Sequence, residues 1–201
     1  MNYIDTRTLA YPLTPADIRA ANQGVIFPEP FEPCEGYSPV AWQAIPAHNV
    51  NTQKAVEVAP VIEEGSCRQA FEIVSLTAAE KAEALAIEKA RLLDAATAKR
   101  WEVETGGVTF PDGTRIGTTL DDQNRITTVI ANAQLAGVTT VDFKAATGWI
   151  TLTLTELQGI AAAIALHVQE CFTVERGHHE AIGALTLAQA RAYDVGQGWP
   201  T

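Results

Sequence analysis

Apolar and polar residues alternate between positions 55 and 74. Val56, Val58 and Ile62 stand on one side of Glu63-Glu64-Gly65, with Phe71 and Ile73 beyond it. A period of two around a glycine-containing turn predicts a β-hairpin. The pattern then becomes a run of strong helix formers from Thr77 to Arg100, free of glycine and proline and opened by a Thr77/Glu80 capping box, which predicts a helix over 77–100. Trp101–Thr109 and Thr114–Thr118 flank Pro111-Asp112-Gly113 and read as paired strands. Ile126, Val129, Ile130 and Ala133 share one face of a helix expected from about Leu120 to Ala136 and ended by Gly137. Val141 and Phe143, then Trp149, Ile150 and Leu152, predict a second hairpin around Thr147-Gly148. Thr153 and Glu156 cap a long helix marked by Leu157, Ile160, Ile164, Val168 and Cys171, and a short last helix starts at Thr186, with Gln189 three residues on.

Proline sets the first sixty residues apart. Eight of the ten prolines lie there, and proline fixes φ and removes a backbone donor, so long helices and uninterrupted central strands are not expected. One short helix is signalled: Thr14 as cap, Pro15 at the first helical position, Asp17 at the positive end, Gly24 as the stop. Phe27-Pro28-Glu29-Pro30-Phe31-Glu32-Pro33 should run extended.

These elements define an α+β fold: a small β-rich module over residues 1–76, a linking helix over 77–100, and a domain over 101–201 in which an antiparallel sheet carries helices on one face. Ala78, Ala82, Leu85, Leu92 and Ala96 fall near a coiled-coil seam that Lys89 interrupts. A surface helix joining two modules is therefore expected ahead of a homo-oligomer formed through 77–100.

Composition narrows the function. Hydrophobic residues make up 47% and charged residues 19% of 201, a globular balance. The net charge of −10 repels phosphate backbones and anionic head groups, so neither nucleic acid nor a membrane surface is the expected partner. No segment approaches the ~20 apolar residues of a membrane span, and the amino terminus shows no basic region followed by an apolar core, so no secretory signal is expected. Cys34, Cys67 and Cys171 are odd in number and far apart, which points to a reducing compartment rather than a disulfide framework.

Reactive side chains are sparse. His167 and Cys171 are four apart on a helix and share a face, but no second pair has ligand spacing, so a half-buried histidine beside a core cysteine is the expected reading. His178 and His179 point about 100° apart and read as polar surface residues. Cys34, with His48 downstream in a proline-rich loop, lacks a third orienting group. Asp121 and Asp122 fall in a helix's first turn, where capping accounts for them. No catalytic constellation, cofactor motif or metal set emerges, and an enzyme is not expected.

Two regions carry a resemblance. Tyr11-Pro12-Leu13-Thr14, Asp17-Ile18-Arg19, Phe27-Pro28, Pro30-Phe31, Tyr37, Pro39-Val40 and Arg68-Gln69-Ala70-Phe71 resemble the amino-terminal domain of bacteriophage tail-fibre assembly proteins. In that pattern tryptophans stand near positions 67 and 71, where this chain has Cys67 and Phe71. Residues 98–190, with Gly113, Ile116, Phe143-Lys144, Gly148-Trp149 and His167-Val168-Gln169, resemble an uncharacterised domain of phage tail-region proteins. The resemblance implies a chaperone-like binder of a tail-fibre protein, working in the host cytoplasm during assembly. The alternative is a structural fibre-associated or baseplate-associated protein kept in the virion tail. Phe27, Phe31, Tyr37 and Trp42 are the expected partner-binding residues, as apolar aromatics on irregular backbone make good anchors.

Overall fold

In the computed structural model residues 1–63 and 65–200 are described; Glu64, in the turn expected at 63–65, lies outside them. The chain divides into two compact units, Met1–Lys81 and Ala82–Thr201. Helix accounts for 45% and strand for 23%, which makes the class α+β.

The first unit is built on a four-stranded sheet. Strands β1 (Tyr3–Asp5), β2 (Tyr37–Ala41), β3 (Gln53–Glu63) and β4 (Ser66–Ser75) lie in the order β1-β2-β4-β3. The β3–β4 hairpin forms as the alternation predicts, and its register shifts between Val58 and Val61. Pro60 sits in that shift, where an irregular ladder tolerates a missing donor. Strands β1 and β2 have no such sequence signal. Their bonded pairs include Ile4 with Ser38 in the Cα register and Val40 N–H to the Asn2 carbonyl at 2.9 Å. Pro39 therefore falls at the alternate, unbonded position of that ladder. Ile4, Val40 and Cys67 form the small core. Helix α1 (Pro15–Ala21) is capped by Thr14 as expected, with Asp17 completing a capping box, and it ends on Asn22, ahead of Gly24.

Asp5 ends β1 buried, its carboxylate accepting the Arg7 N–H at 2.9 Å, the Thr8 N–H at 3.2 Å and the Arg7 Nε–H at 3.2 Å. The Arg7 bonds hold its pKa down, from 3.8 to about 2. A carboxylate with a depressed folded-state pKa stabilises the fold above its unfolded value and loses that contribution as pH falls through the folded one. Asp5→Asn is therefore expected to lower the urea midpoint at neutral pH. Its difference from wild type should shrink between about pH 4 and pH 2; a difference constant across that window would contradict the assignment.

The second unit contains most of α2 (Ala78–Thr105), α3 (Leu120–Ala136), α4 (Leu154–Ala184) and α5 (Leu187–Ala192). Helix α2 overruns its expected end, and the strand anticipated at Trp101–Thr109 shrinks to β5 (Val108–Thr109). The pairs Lys99–Glu102 and Arg100–Glu104 at helical spacing extend the helix, and no breaker intervenes before Gly106-Gly107. Gly107 has a φ of 89°, and a Cβ there would lie 2.9 Å from the Ile116 carbonyl oxygen, so glycine makes the turn into β5.

Strand β5 pairs with β6 (Arg115–Ile116), and β7 (Thr140–Ala145) pairs with β8 (Gly148–Thr153), both antiparallel. The expected strands thus divide between two two-stranded ribbons, joined where the Ala146 N–H donates to the Arg115 carbonyl at 2.9 Å. Ile116, Ile126, Phe143, Ala145, Leu157 and Ile164 form the core where α3, α4 and the ribbons converge. A second cluster joins Leu92 of α2 to Ile182 of α4 and Ala190 of α5. Lys89, the residue that interrupts the coiled-coil pattern, donates to the Gly183 carbonyl at 2.7 Å and so satisfies the end of α4.

Helix α4 corrects the expectation about membrane length: it is long and apolar enough to cross a bilayer by length and composition. Leu157, Ile164, Cys171 and Ile182 on it are buried within the protein.

Candidate functional site

The four aromatics expected to bind a partner fall into two groups. Phe31 lies between Phe27, stacked at 5.3 Å, and Tyr3, edge-on at 5.4 Å, and the Arg19 guanidinium covers it at 4.9 Å. Tyr37 has Arg7 over its ring at 5.2 Å, and its hydroxyl accepts from Asn22 Nδ2 at 3.2 Å. These three are half-buried and hold the proline-rich segment onto α1 and β1.

Trp42 differs. It is 79% exposed and follows directly on β2. The backbone under it is fixed by the pairing of Val40 with Cys67 and Ala41 with Arg68, and by the Gln43 N–H donating to Gln69 Oε1 at 3.2 Å. Gln69 is itself held by donating from Nε2 to Glu57 at 2.9 Å. A large indole is thus presented to solvent from an anchored strand end. Ile26, 98% exposed, and Ile45, 57% exposed, are further apolar side chains on loops of this unit. Sequence reasoning missed both; aliphatic residues among prolines, outside any alternation, were the available signal.

In the second unit the charged residues cluster around Arg100. Its guanidinium pairs with Glu104, lies 2.8 Å from Glu175 Oε2 through Nε, and sits 4.5 Å from the centre of the Phe172 ring. The Nε–H is not aligned for a hydrogen bond with Glu175, so charge attraction holds that side. His179 Nε2 stands 3.8 Å from Glu175. Thr118, fully buried, donates to the Glu104 carbonyl and accepts the Gly107 N–H at 2.9 Å.

His167 and Cys171 do lie together, with Sγ 3.8 Å from Nε2. Nε2 also faces the Val103 carbonyl at 3.2 Å, so the ring donates there rather than offering a lone pair to a metal. Burial pushes the Cys171 thiol up, with Glu104 adding to the shift, which disfavours the nucleophilic thiolate. Among the described residues no group of three or more His, Cys, Asp and Glu side chains could hold a metal.

His178 corrects its expected place on the surface. It is buried, stacked on Trp199 at 5.4 Å, with Nδ1 2.8 Å from the Tyr193 hydroxyl and Nε2 3.0 Å from the Gln197 carbonyl. A carbonyl only accepts, so Nε2 carries a proton and the ring pins the segment after α5 onto α4. Its partners lie beyond any spacing rule, so only the following Tyr193 and Trp199 could have hinted at it.

The fold and these surroundings define a two-unit α+β protein with an anchored apolar display on one unit and a buried charge cluster in the other. A family model described as "Domain of unknown function (DUF4376)" matches residues 87–196, more than half of the chain, and the chain belongs to that family. No curated protein and no solved structure matches the chain. The family match begins inside α2 and leaves the first unit outside it, and nothing in the comparisons shows a tail-fibre assembly pattern there.

Proposed function

We propose that the protein binds a bacteriophage tail-fibre protein and assists its assembly in the host cytoplasm, using the surface around Trp42. The observation that carries this reading is the exposure of Trp42 on a backbone fixed by strand pairing. Tryptophan is the side chain most often found at interface hot spots, and prior anchoring lowers the entropic cost of binding. The resemblance of residues 11–80 to tail-fibre assembly proteins supplies the partner. Unassembled fibres expose strand edges and apolar surface, and a soluble binder that covers them prevents aggregation.

Trp42→Ala is expected to weaken binding to the fibre protein by about 2 kcal/mol or more, roughly thirtyfold. Calorimetry with fibre protein encoded beside this chain's gene would measure it, with Phe31→Ala as the contrast that loosens the segment instead. Soluble yield of co-expressed fibre should fall in step with the affinity. Abundant protein at fibre stoichiometry in purified virions would replace the assembly role with a structural one.

A further inference from the structure

The edge of β8 that faces away from β7 borders a groove that is open among the described residues. Ala145 and Gly148 close the β7–β8 ribbon around a two-residue turn, and the Leu154 N–H donates to the Thr139 carbonyl at 3.0 Å. Both facts set the same alternation: Phe143 pairs inward with Ile150, and Val141 with Leu152. The backbone N–H and C=O groups of Trp149 and Thr151 therefore point outward. The Thr153 N–H, next in that row, is taken by Glu156 at 2.7 Å. Among the described residues nothing reaches the outward groups of Trp149 and Thr151, and β8 pairs with β7 alone.

Along this edge runs a groove of about 560 Å³. Ile150, Thr151 and Leu152 form one wall, Phe110 and Pro111 of the β5–β6 turn the other, and Gly159 and Ile160 of α4 the floor. The opposite edge of the ribbon is different. Its outward residues on β7 include Asp142 and Lys144, charges of the kind that discourage strand addition. The outward positions of β8 carry Trp149 and Thr151, which do not.

We propose that this groove takes an extended segment of another protein, added as a strand to β8, with apolar side chains at alternate positions and a lysine or arginine at one end. The unsatisfied backbone row sets the extended conformation, because only a strand matches two residues whose donors and acceptors face the same way. The apolar walls set the alternation, since every second guest side chain points toward Phe110, Ile150, Leu152 and Ile160. Asp112 and Glu156 at the rim set the charge. Both carboxylates stay ionised, held down by bonds from Thr114 and Thr153 respectively, and the chain's net charge of −10 favours the same sign of guest. This surface is separate from Trp42 and stands whether or not the first unit binds a fibre.

The test is a random-peptide display selection on the full chain, followed by binding measurements on synthetic versions of the selected peptides. A Cβ at Gly159 meets nothing within 4 Å, so Gly159→Leu puts a side chain into the groove from α4, and because leucine is the better helix former its thermal unfolding should be no lower than that of wild type. Selected peptides are expected to be β-forming with basic ends. They should bind Gly159→Leu at least about tenfold more weakly than wild type, and N-methylation at alternate residues should cause a similar loss. Thr151→Pro, which removes one outward donor, should weaken them in the same direction. The proposal is overturned if no peptide is enriched, if the enriched ones are acidic or helical, or if Gly159→Leu and N-methylation leave affinity unchanged. It is equally overturned if the protein forms a concentration-dependent dimer that Thr151→Pro abolishes, since the edge would then belong to a second copy.

Discussion

Arg100→Ala is expected to destabilise the second unit by about 3–5 kcal/mol. The guanidinium lies between Glu104 and Glu175, and the three side chains are only 13%, 12% and 14% exposed. Removing the cation leaves two carboxylates facing each other with little water, and His179 at 3.8 Å from Glu175 is too distant and too exposed to replace it. The alanine also uncovers the Phe172 ring. Arg100→Met restores packing on Phe172 but not the charge, so it should recover only a minor share. Arg100→Met combined with Glu104→Gln and Glu175→Gln removes every charge and should recover most of the loss, because a whole ion cluster is costly to break singly and cheap to replace together. Denaturant midpoints of the four proteins check this. A loss under about 1 kcal/mol for Arg100→Ala would mean that the cluster is solvated like a surface pair.

Leu157→Ala is the second large effect, at about 2–5 kcal/mol. Leu157 is fully buried in the cluster with Ile116, Ile126, Phe143, Ala145 and Ile164. These come from both ribbons, α3 and α4, so a cavity there cannot close by moving one element. Leu166 stands on the same helix but is 71% exposed, and Leu166→Ala should stay within about 0.5 kcal/mol. Both substitutions have the same helix propensity change, so the difference between them measures the packing alone. Equal effects would contradict the burial of Leu157.

Elements whose cause is local were legible in the chain. Thr14/Asp17, Thr119/Asp122 and Thr153/Glu156 all form capping boxes within four residues. Gly137 takes the left-handed φ of 67° that ends α3. Elements whose cause is remote were not. Strand β1 is three residues long and exists because β2, more than thirty positions away, pairs with it. The sequence ends α2 five residues early because Trp101–Thr109 reads as a strand pairing across the Pro111-Asp112-Gly113 turn, while Lys99 and Arg100 pair forward along the helix. The candidate site was half legible. Sequence selected Phe27, Phe31, Tyr37 and Trp42 by type, but type does not say which aromatic turns inward. Phe31 has Tyr3 and Arg19 to pack against, whereas Trp42 stands on an anchored backbone and is 79% exposed.

By itself, then, the sequence determined the α+β class, the helix starts, the two hairpins and the acidic charge, because each follows from residue type, period or contacts within one turn. Tertiary structure alone decided that Trp42 is displayed and that His178 is buried beneath Trp199. It also decided that Arg100 meets Glu175 and that β8 has a bare edge beside a groove. Those outcomes depend on which distant surfaces meet, and the free energy that settles them is gained only when both sides of a contact are in place.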